Sequence, residues 1–176
     1  MSQIYGAIAR FNGPAELIDA AQKARAAGYK RLDAHSPFPI HGIDEALGLA
    51  RSPLPWLVLG GGLTGLATGF LLQWYPSVVE YPLIVGGKPY NSIEAWVPIA
   101  FEMTILFASF AAVFGMLLLN GLPRLHHPAF DATDFARATD DGFFLAIEAG
   151  DPSFSPTSVL AFFGEIGGKN AQILEG

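Results

Sequence analysis

One carboxylate stands inside an apolar run. The segment V-P-I-A-F-E-M-T-I-L-F-A-S-F-A-A-V-F-G-M-L-L-L, Val97 to Leu119, holds Glu102 as its single ionisable residue. A carboxylate can accept a proton or hold a donor on a neighbouring chain, and an acid in an apolar span is a functional candidate by default. Ser109 follows seven residues later, close to the same helical face, and could continue a polar track inward. Counted from Val97, Glu102 lies roughly 7 to 8 Å inside the segment. That depth suits two roles. The acid reaches an interface or pairs with a polar group on a neighbouring helix, or it belongs to a proton-transfer network.

The histidines suggest less. A haem held between membrane helices needs histidines at matching depth, and neither apolar block contains one. His126 and His127 are adjacent, so their side chains diverge, and they follow the helix-stopping Pro123. His35 and His41 lie in a proline-rich stretch without acidic or thiol companions at ligand spacing. The chain has no cysteine, which removes C-x-x-C-H haem attachment, thiolate-held Fe–S clusters and thiol redox chemistry. No Ser–His–Asp arrangement stands out. The expectation is a chain with no catalytic residues, no metal site and no cofactor of its own.

Gly60, Gly62 and Gly65 spell G-x-G-x-x-G. A dinucleotide fingerprint needs these glycines between a strand and a helix, with an acid about twenty residues on. Here they sit inside an apolar run, and that reading fails. Gly61, Gly65 and Gly69, with Thr64 and Thr68 beside them, instead form a small-residue stripe. A matching stripe runs through Ala108, Ala111, Ala112 and Gly115. Such stripes let two helix backbones approach closely.

These residues need apolar helices to carry them. Mean hydropathy is +0.37 and only 15% of residues are charged, where a soluble domain carries about a quarter. The excess lies in Leu54–Trp74 and Val97–Leu119, each long enough to cross a hydrocarbon core of about 30 Å. Trp56, and Trp74 with Tyr75, occupy positions expected of interfacial aromatic belts, and Trp96 stands at the outer end of the second block. The expected order is a first α+β segment over residues 1–52, a transmembrane helix over 53–75, an external loop over 76–96, a second transmembrane helix over 97–120, and a second α+β segment over 121–176. The first eleven residues lack the basic start and apolar run of a signal peptide. Lys23, Arg25, Lys30, Arg31 and Arg51 precede the spans and Arg124 follows them, while the loop has only Lys88 against Glu80 and Glu94. The positive-inside rule then puts both termini in the cytoplasm. A net charge of −6 argues against nucleic acid as a partner.

Outside the spans one grammar appears twice. Ile4–Phe11 reads as a buried strand, Asn12-Gly13-Pro14 opens an alanine-rich helix through Ala27, and Arg31–Ala34 reads as a second strand. A short helix is expected over Ile43–Leu49. After the spans, Phe143–Glu148 reads as a strand, Ser155-Pro156 opens a helix to about Ile166, and Ala171–Leu174 reads as a final strand. Two strand–helix–strand units suggest a small ferredoxin-like α+β domain into which a transmembrane hairpin is inserted.

Several runs carry a resemblance. S-P-F-P-I-H-G-I-D-E-A-L-G, L-P-W-L-V-L-G-G-G-L-T-G, Y-P-L-I-V-G-G-K-P, F-E-M-T-I-L-F-A-S-F-A-A-V-F-G-M and N-G-L-P-R-L-H-H-P occur in that order, and D-D-G-F-F-L-A-I-E-A-G-D-P follows. Together they resemble the two-span D subunit (ActD) of alternative complex III, a bacterial quinol:electron-acceptor oxidoreductase. The resemblance implies an accessory subunit of the bacterial inner membrane without catalytic residues. It also implies partners: polytopic quinol-binding membrane subunits, a multihaem cytochrome c, an Fe–S subunit and a monohaem cytochrome c. Haem c and Fe–S clusters belong to those partners, and quinol is the substrate of the whole complex. In that setting Glu102 and Ser109 become candidates for a proton or quinol-side network. The competing reading is a free-standing two-span protein whose cytoplasmic domain binds a small ligand or regulator.

Overall fold

The computed structural model describes residues 4–176; Met1–Gln3, the start of the stretch read for a leader, lie outside the described residues. The elements run β1 (Ile4–Phe11), α1 (Pro14–Ala26), β2 (Leu32–His35), α2 (Ile43–Leu47), α3 (Leu54–Trp74), α4 (Ile93–Leu119), β3 (Phe143–Glu148), α5 (Pro156–Glu165) and β4 (Lys169–Glu175). Contacts divide the chain into two units: residues up to Ala50 together with Leu125–Gly176, and Arg51–Arg124 between them.

In the first unit, four strands form one sheet in the order β2-β3-β1-β4, with every neighbouring pair antiparallel. Strand side chains alternate between faces, and here both faces are covered. Ala7, Ala9 and Phe11 of β1 and Phe143, Leu145 and Ile147 of β3 point into one core, which α1 and α5 close with Leu17, Ala20, Val159 and Phe163. Ile8, Phe144 and Ala146 point the other way, onto Ala129 and Phe135. Those two residues come from short 3-10 turns, Pro128–Asp131 and Phe135–Thr139, which carry no helical period that the sequence reading could detect. Central strands covered on both sides read as continuous apolar runs rather than alternating ones. In β1–β3 register, Ala7 stands opposite Ile147 and Ala9 opposite Leu145.

Several boundaries differ from expectation. Strand β2 is displaced by one residue, which moves His35 out of the proline-rich loop and into the strand. The final strand is longer than Ala171–Leu174 at both ends. Helix α2 stops at Leu47 because Gly48 takes a φ of 66°, which favours glycine. Asn12 does not cap α1. Gly13 holds that position, and the Asn12 backbone N–H donates to Glu16 Oε2 at 3.1 Å.

Asp151 is a buried acid that the sequence reading did not flag. It is 4% exposed, and its Oδ2 accepts the backbone N–H groups of Lys30 at 2.6 Å and Arg31 at 2.8 Å. Oδ1 accepts the Ser153 N–H at 2.8 Å. Burial pushes its pKa upward, but the three amides outweigh that and hold the carboxyl below the usual carboxylate value. The clamp joins the approach to β2 with the turn after β3, segments some 120 residues apart in the chain.

In the second unit, α3 continues through a π-helical turn, Tyr75–Glu80. Helix α4 begins at Ile93, four residues before the uninterrupted apolar run, so part of the expected loop is helical. Both helices are long and apolar enough to cross a membrane. They pack along each other in opposite directions: Gly61 meets Phe107 and Ala111, while Gly69 meets Ala100. Their remaining faces expose large apolar side chains, among them Leu57, Leu63, Leu71, Phe101, Phe110 and Phe114. A water-soluble surface does not expose a contiguous patch of that kind.

Candidate functional site

The α3–α4 seam is built from residues too small to keep the backbones apart. A Cβ added at Gly69 would stand 2.7 Å from Ala100 Cα. One at Gly61 would stand 2.6 Å from Ala111 Cβ and 2.9 Å from the Phe107 carbonyl oxygen. At Gly65 it would collide with the Met103 carbonyl oxygen and lie 2.9 Å from Phe107 Cβ. Real side chains essentially never approach below 3.0 Å, so each of these positions needs glycine. At the other end of the seam Gly115 faces Leu54 and Leu57, whose Cδ1 atoms are 3.0 and 3.4 Å from where a Cβ would be. Ala112 is half-buried beside it. Ala108 faces Gly62, where a Cβ would find ordinary contacts at 3.6 and 3.7 Å. The sequence reading left Gly62 out of the stripe. At Gly60, by contrast, nothing lies within 4 Å. The three glycines of G-x-G-x-x-G thus have three different surroundings.

Polar side chains along the pair mostly find backbone partners nearby. The hydroxyls of Thr64 and Thr68 donate to the carbonyls of Gly60 and Thr64, each at 2.8 Å, and Thr104 donates to Ala100 at 2.7 Å. Gln73 Nε2 donates to Gly69 at 2.8 Å and across the seam to the Trp96 carbonyl at 3.1 Å. Trp96 itself is only 5% exposed. It lines a cavity with Pro76, Tyr81, Leu83 and Tyr90 of the segment that connects the two helices. Trp56 at 76% exposed and the half-exposed Tyr75 do project outward.

Glu102 and Ser109 are exceptions, as is Glu94 in the first turn of α4. Glu102 and Ser109 are both exposed, and neither makes a hydrogen bond or ion pair among the described residues. The residues of α4 that meet α3 include Ala100, Met103, Thr104, Phe107, Ala108, Ala111 and Gly115. At about 100° per residue, Glu102 lies roughly 200° around from Ala100, and Ser109 about 180°. The structure therefore brings these two residues onto one face, directed away from α3, and keeps both out of the glycine seam.

The histidines are scattered over the first unit. His126 Nε2 is 2.9 Å from Asp131 Oδ2 at the surface. His127 Nδ1 accepts the Ala129 N–H at 3.2 Å, so in the neutral ring Nε2 carries the proton and donates to the Tyr5 hydroxyl at 2.9 Å. His35 packs edge-on to Phe135, its Nε2 buried without a hydrogen bond and 3.7 Å from Asp33 Oδ2. His41 is exposed. Among the described residues no three His, Asp or Glu side chains gather as a metal site would require.

The geometry is that of a helix pair closed by glycine, attached to a small α+β unit. Comparison with curated proteins gives no match. A family model described as "Alternative complex III, ActD subunit" matches residues 5–172 of the 176. Because that match takes in both the α+β unit and the helix pair, the chain belongs to the ActD family, a subunit of alternative complex III.

Proposed function

We propose that this chain is a non-catalytic structural and assembly subunit that anchors part of alternative complex III in the bacterial inner membrane. The carrying observation is the helix pair itself. Its inner faces are consumed by the glycine seam, while its outer faces expose large apolar side chains suited to lipid and to neighbouring membrane subunits. In this reading the chain crosses the membrane twice with both termini in the cytoplasm. Arg51 and Arg124 bracket the helices, and Lys88 stands alone between them. We read the sheet order β2-β3-β1-β4, with α1 joining β1 to β2 and α5 joining β3 to β4, as a ferredoxin-like domain interrupted by the transmembrane hairpin.

Electrons would pass from quinol to a periplasmic acceptor through partners bearing haem c and Fe–S clusters: the multihaem cytochrome c, the Fe–S subunit and the monohaem cytochrome c. The polytopic membrane subunits would bind the quinol. Glu102 and Ser109 are the groups through which this chain would contribute to proton movement near the outer face. The test is purification of a tagged copy in mild detergent. Haem c absorbance and quinol oxidation following the tag support the assignment. A tagged chain recovered free of haem would overturn it in favour of a free-standing two-span protein.

A further inference from the structure

Glu102 and Ser109 share a face of α4 that α3 does not cover. Thr64, Thr68, Gln73 and Thr104 all turn back to backbone carbonyls within the helix pair. Ser109 could satisfy its hydroxyl in the same way, four residues back as Thr104 does, and it does not. Pro98, on the same side of α4, lacks the amide that the Glu94 carbonyl would otherwise receive. Around these polar positions the face is apolar and exposed, with Ile105, Leu106 and Val113 outward. Glu102 lies about 13 Å along the axis from Ile93 and Ser109 about 24 Å. A carboxylate bending back to the interface would account for Glu102 alone. It leaves the deeper Ser109 without a partner.

We propose that this face of α4 is a docking surface for one transmembrane helix of another subunit of the complex, which presents a basic side chain to Glu102. The occupant follows from charge complementarity. An acid at this depth is costly against lipid tails, and ionisable groups in spans face protein and pair there. The partner helix also meets Ser109, two turns deeper, with a hydrogen-bonding group. Interhelical hydrogen bonds and close packing, rather than apolar burial, hold membrane helices together. The glycine seam therefore makes the pair, and the Glu102–Ser109 face makes the contact outward. This deepens the assembly role above and rests on it.

The experiment uses the intact complex, with a photocrosslinking amino acid in place of Leu106, one turn from Glu102 on the same side. Illumination is expected to yield an adduct with a membrane helix of another subunit that carries Lys, Arg or His within one turn of the linked residue. An adduct with lipid only, or with a helix lacking such a residue, overturns the proposal. Glu102→Lys should lower the yield of intact complex at least tenfold, Glu102→Gln should stay within twofold, and reversing the charge of the linked basic residue should restore the Glu102→Lys yield. Ser109→Leu, which does not impair membrane insertion, should reduce the yield with the subunit still at normal level in the membrane. Unchanged yield for both Glu102→Lys and Ser109→Leu overturns the proposal. Failure of the assembly role itself would look different: the unsubstituted chain would not co-purify with haem-bearing partners at all.

Discussion

Two glycines five residues apart in α3 should respond oppositely to the same added methyl group. At Gly65, the Cβ of alanine meets the Met103 carbonyl oxygen and lies 2.9 Å from Phe107 Cβ, where ordinary contact begins at 3.4 Å. A carbonyl in the middle of a helix cannot swing aside, so α3 and α4 must separate or rotate locally. Overpacking of this kind costs about 1–3 kcal/mol. Alanine returns about 1 kcal/mol in helix propensity. The net expectation for Gly65→Ala is a loss of up to about 2 kcal/mol from the helix pair. At Gly60 nothing lies within 4 Å. Only the propensity remains there, and Gly60→Ala should gain about 0.5–1 kcal/mol. All three tryptophans, Trp56, Trp74 and Trp96, belong to this unit, so intrinsic fluorescence reports on it alone. Trp96 is buried and should shift strongly to the red when the helices part. SDS titration of the full-length chain in mild detergent, followed at the tryptophan emission maximum, gives the two midpoints. Equal losses at both positions, or no change at either, would refute the account of the seam as a backbone-to-backbone contact.

The other expectations concern the complex, the topology and the α+β unit. Gly65→Leu should reduce the yield of assembled complex on a native gel while the subunit itself is still expressed; undiminished yield removes the seam from assembly. Protease added to intact spheroplasts should cut between Tyr81 and Ser92, which connect the two helical segments, and release of the N-terminal segment from outside would reverse the proposed orientation. In the assembled complex, Glu102→Gln should slow quinol oxidation and proton release together, and wild-type values for both would reduce Glu102 to a structural group. Asp151→Ala removes the acceptor of three part-buried backbone N–H groups and should cost about 1–3 kcal/mol in total, read as faster amide exchange in β2 and β3. The folded-state pKa of Asp151 is depressed, so the unfolded chain takes up the proton first as pH falls. Its contribution is therefore complete well above about pH 3.9 and is lost as pH drops through the folded value. Exchange protection in the wild type should fall below about pH 4, and the alanine variant should lose that pH dependence.

Periodic features were legible in the sequence; pairwise ones were not. β1 and β3 have the bounds that their largely apolar runs indicate, because central strands buried on both faces read as nearly continuous apolar segments. Pro14 and Pro156 mark helix starts, and Gly28, at φ 99°, follows the end of α1. The Asp151 clamp escaped notice for a physical reason. Its local half, Ser153 N–H to Oδ1, is an ordinary Asx turn that any G-D-P-S run could form. Its decisive half comes from Lys30 and Arg31, and only the folded sheet brings those amides near. His127 and Tyr5 are likewise joined by the sheet and not by spacing.

The α3–α4 stripe shows where sequence period stops being enough. Counting small residues at every fourth position picks out Gly61, Gly65 and Gly69, yet a helix turn holds 3.6 residues and the contact line drifts. Gly62 falls on that line beside Thr104 and Ala108 of α4, neighbours that no single-helix count contains. The same limit applies to Glu102. Composition marks it as unusual, but composition cannot tell an acid turned into the seam from one turned away. The hydrogen bonds of its neighbours separate the two cases: Thr104, half a turn away, faces α3 and closes on its own helix, while Glu102 and Ser109 face away from α3 and close on nothing among the described residues. A polar group that its own chain leaves open at that depth is a statement about another molecule. In a subunit whose glycines already fix its internal geometry, substitutions on the outward face should change what the chain joins before they change how it folds.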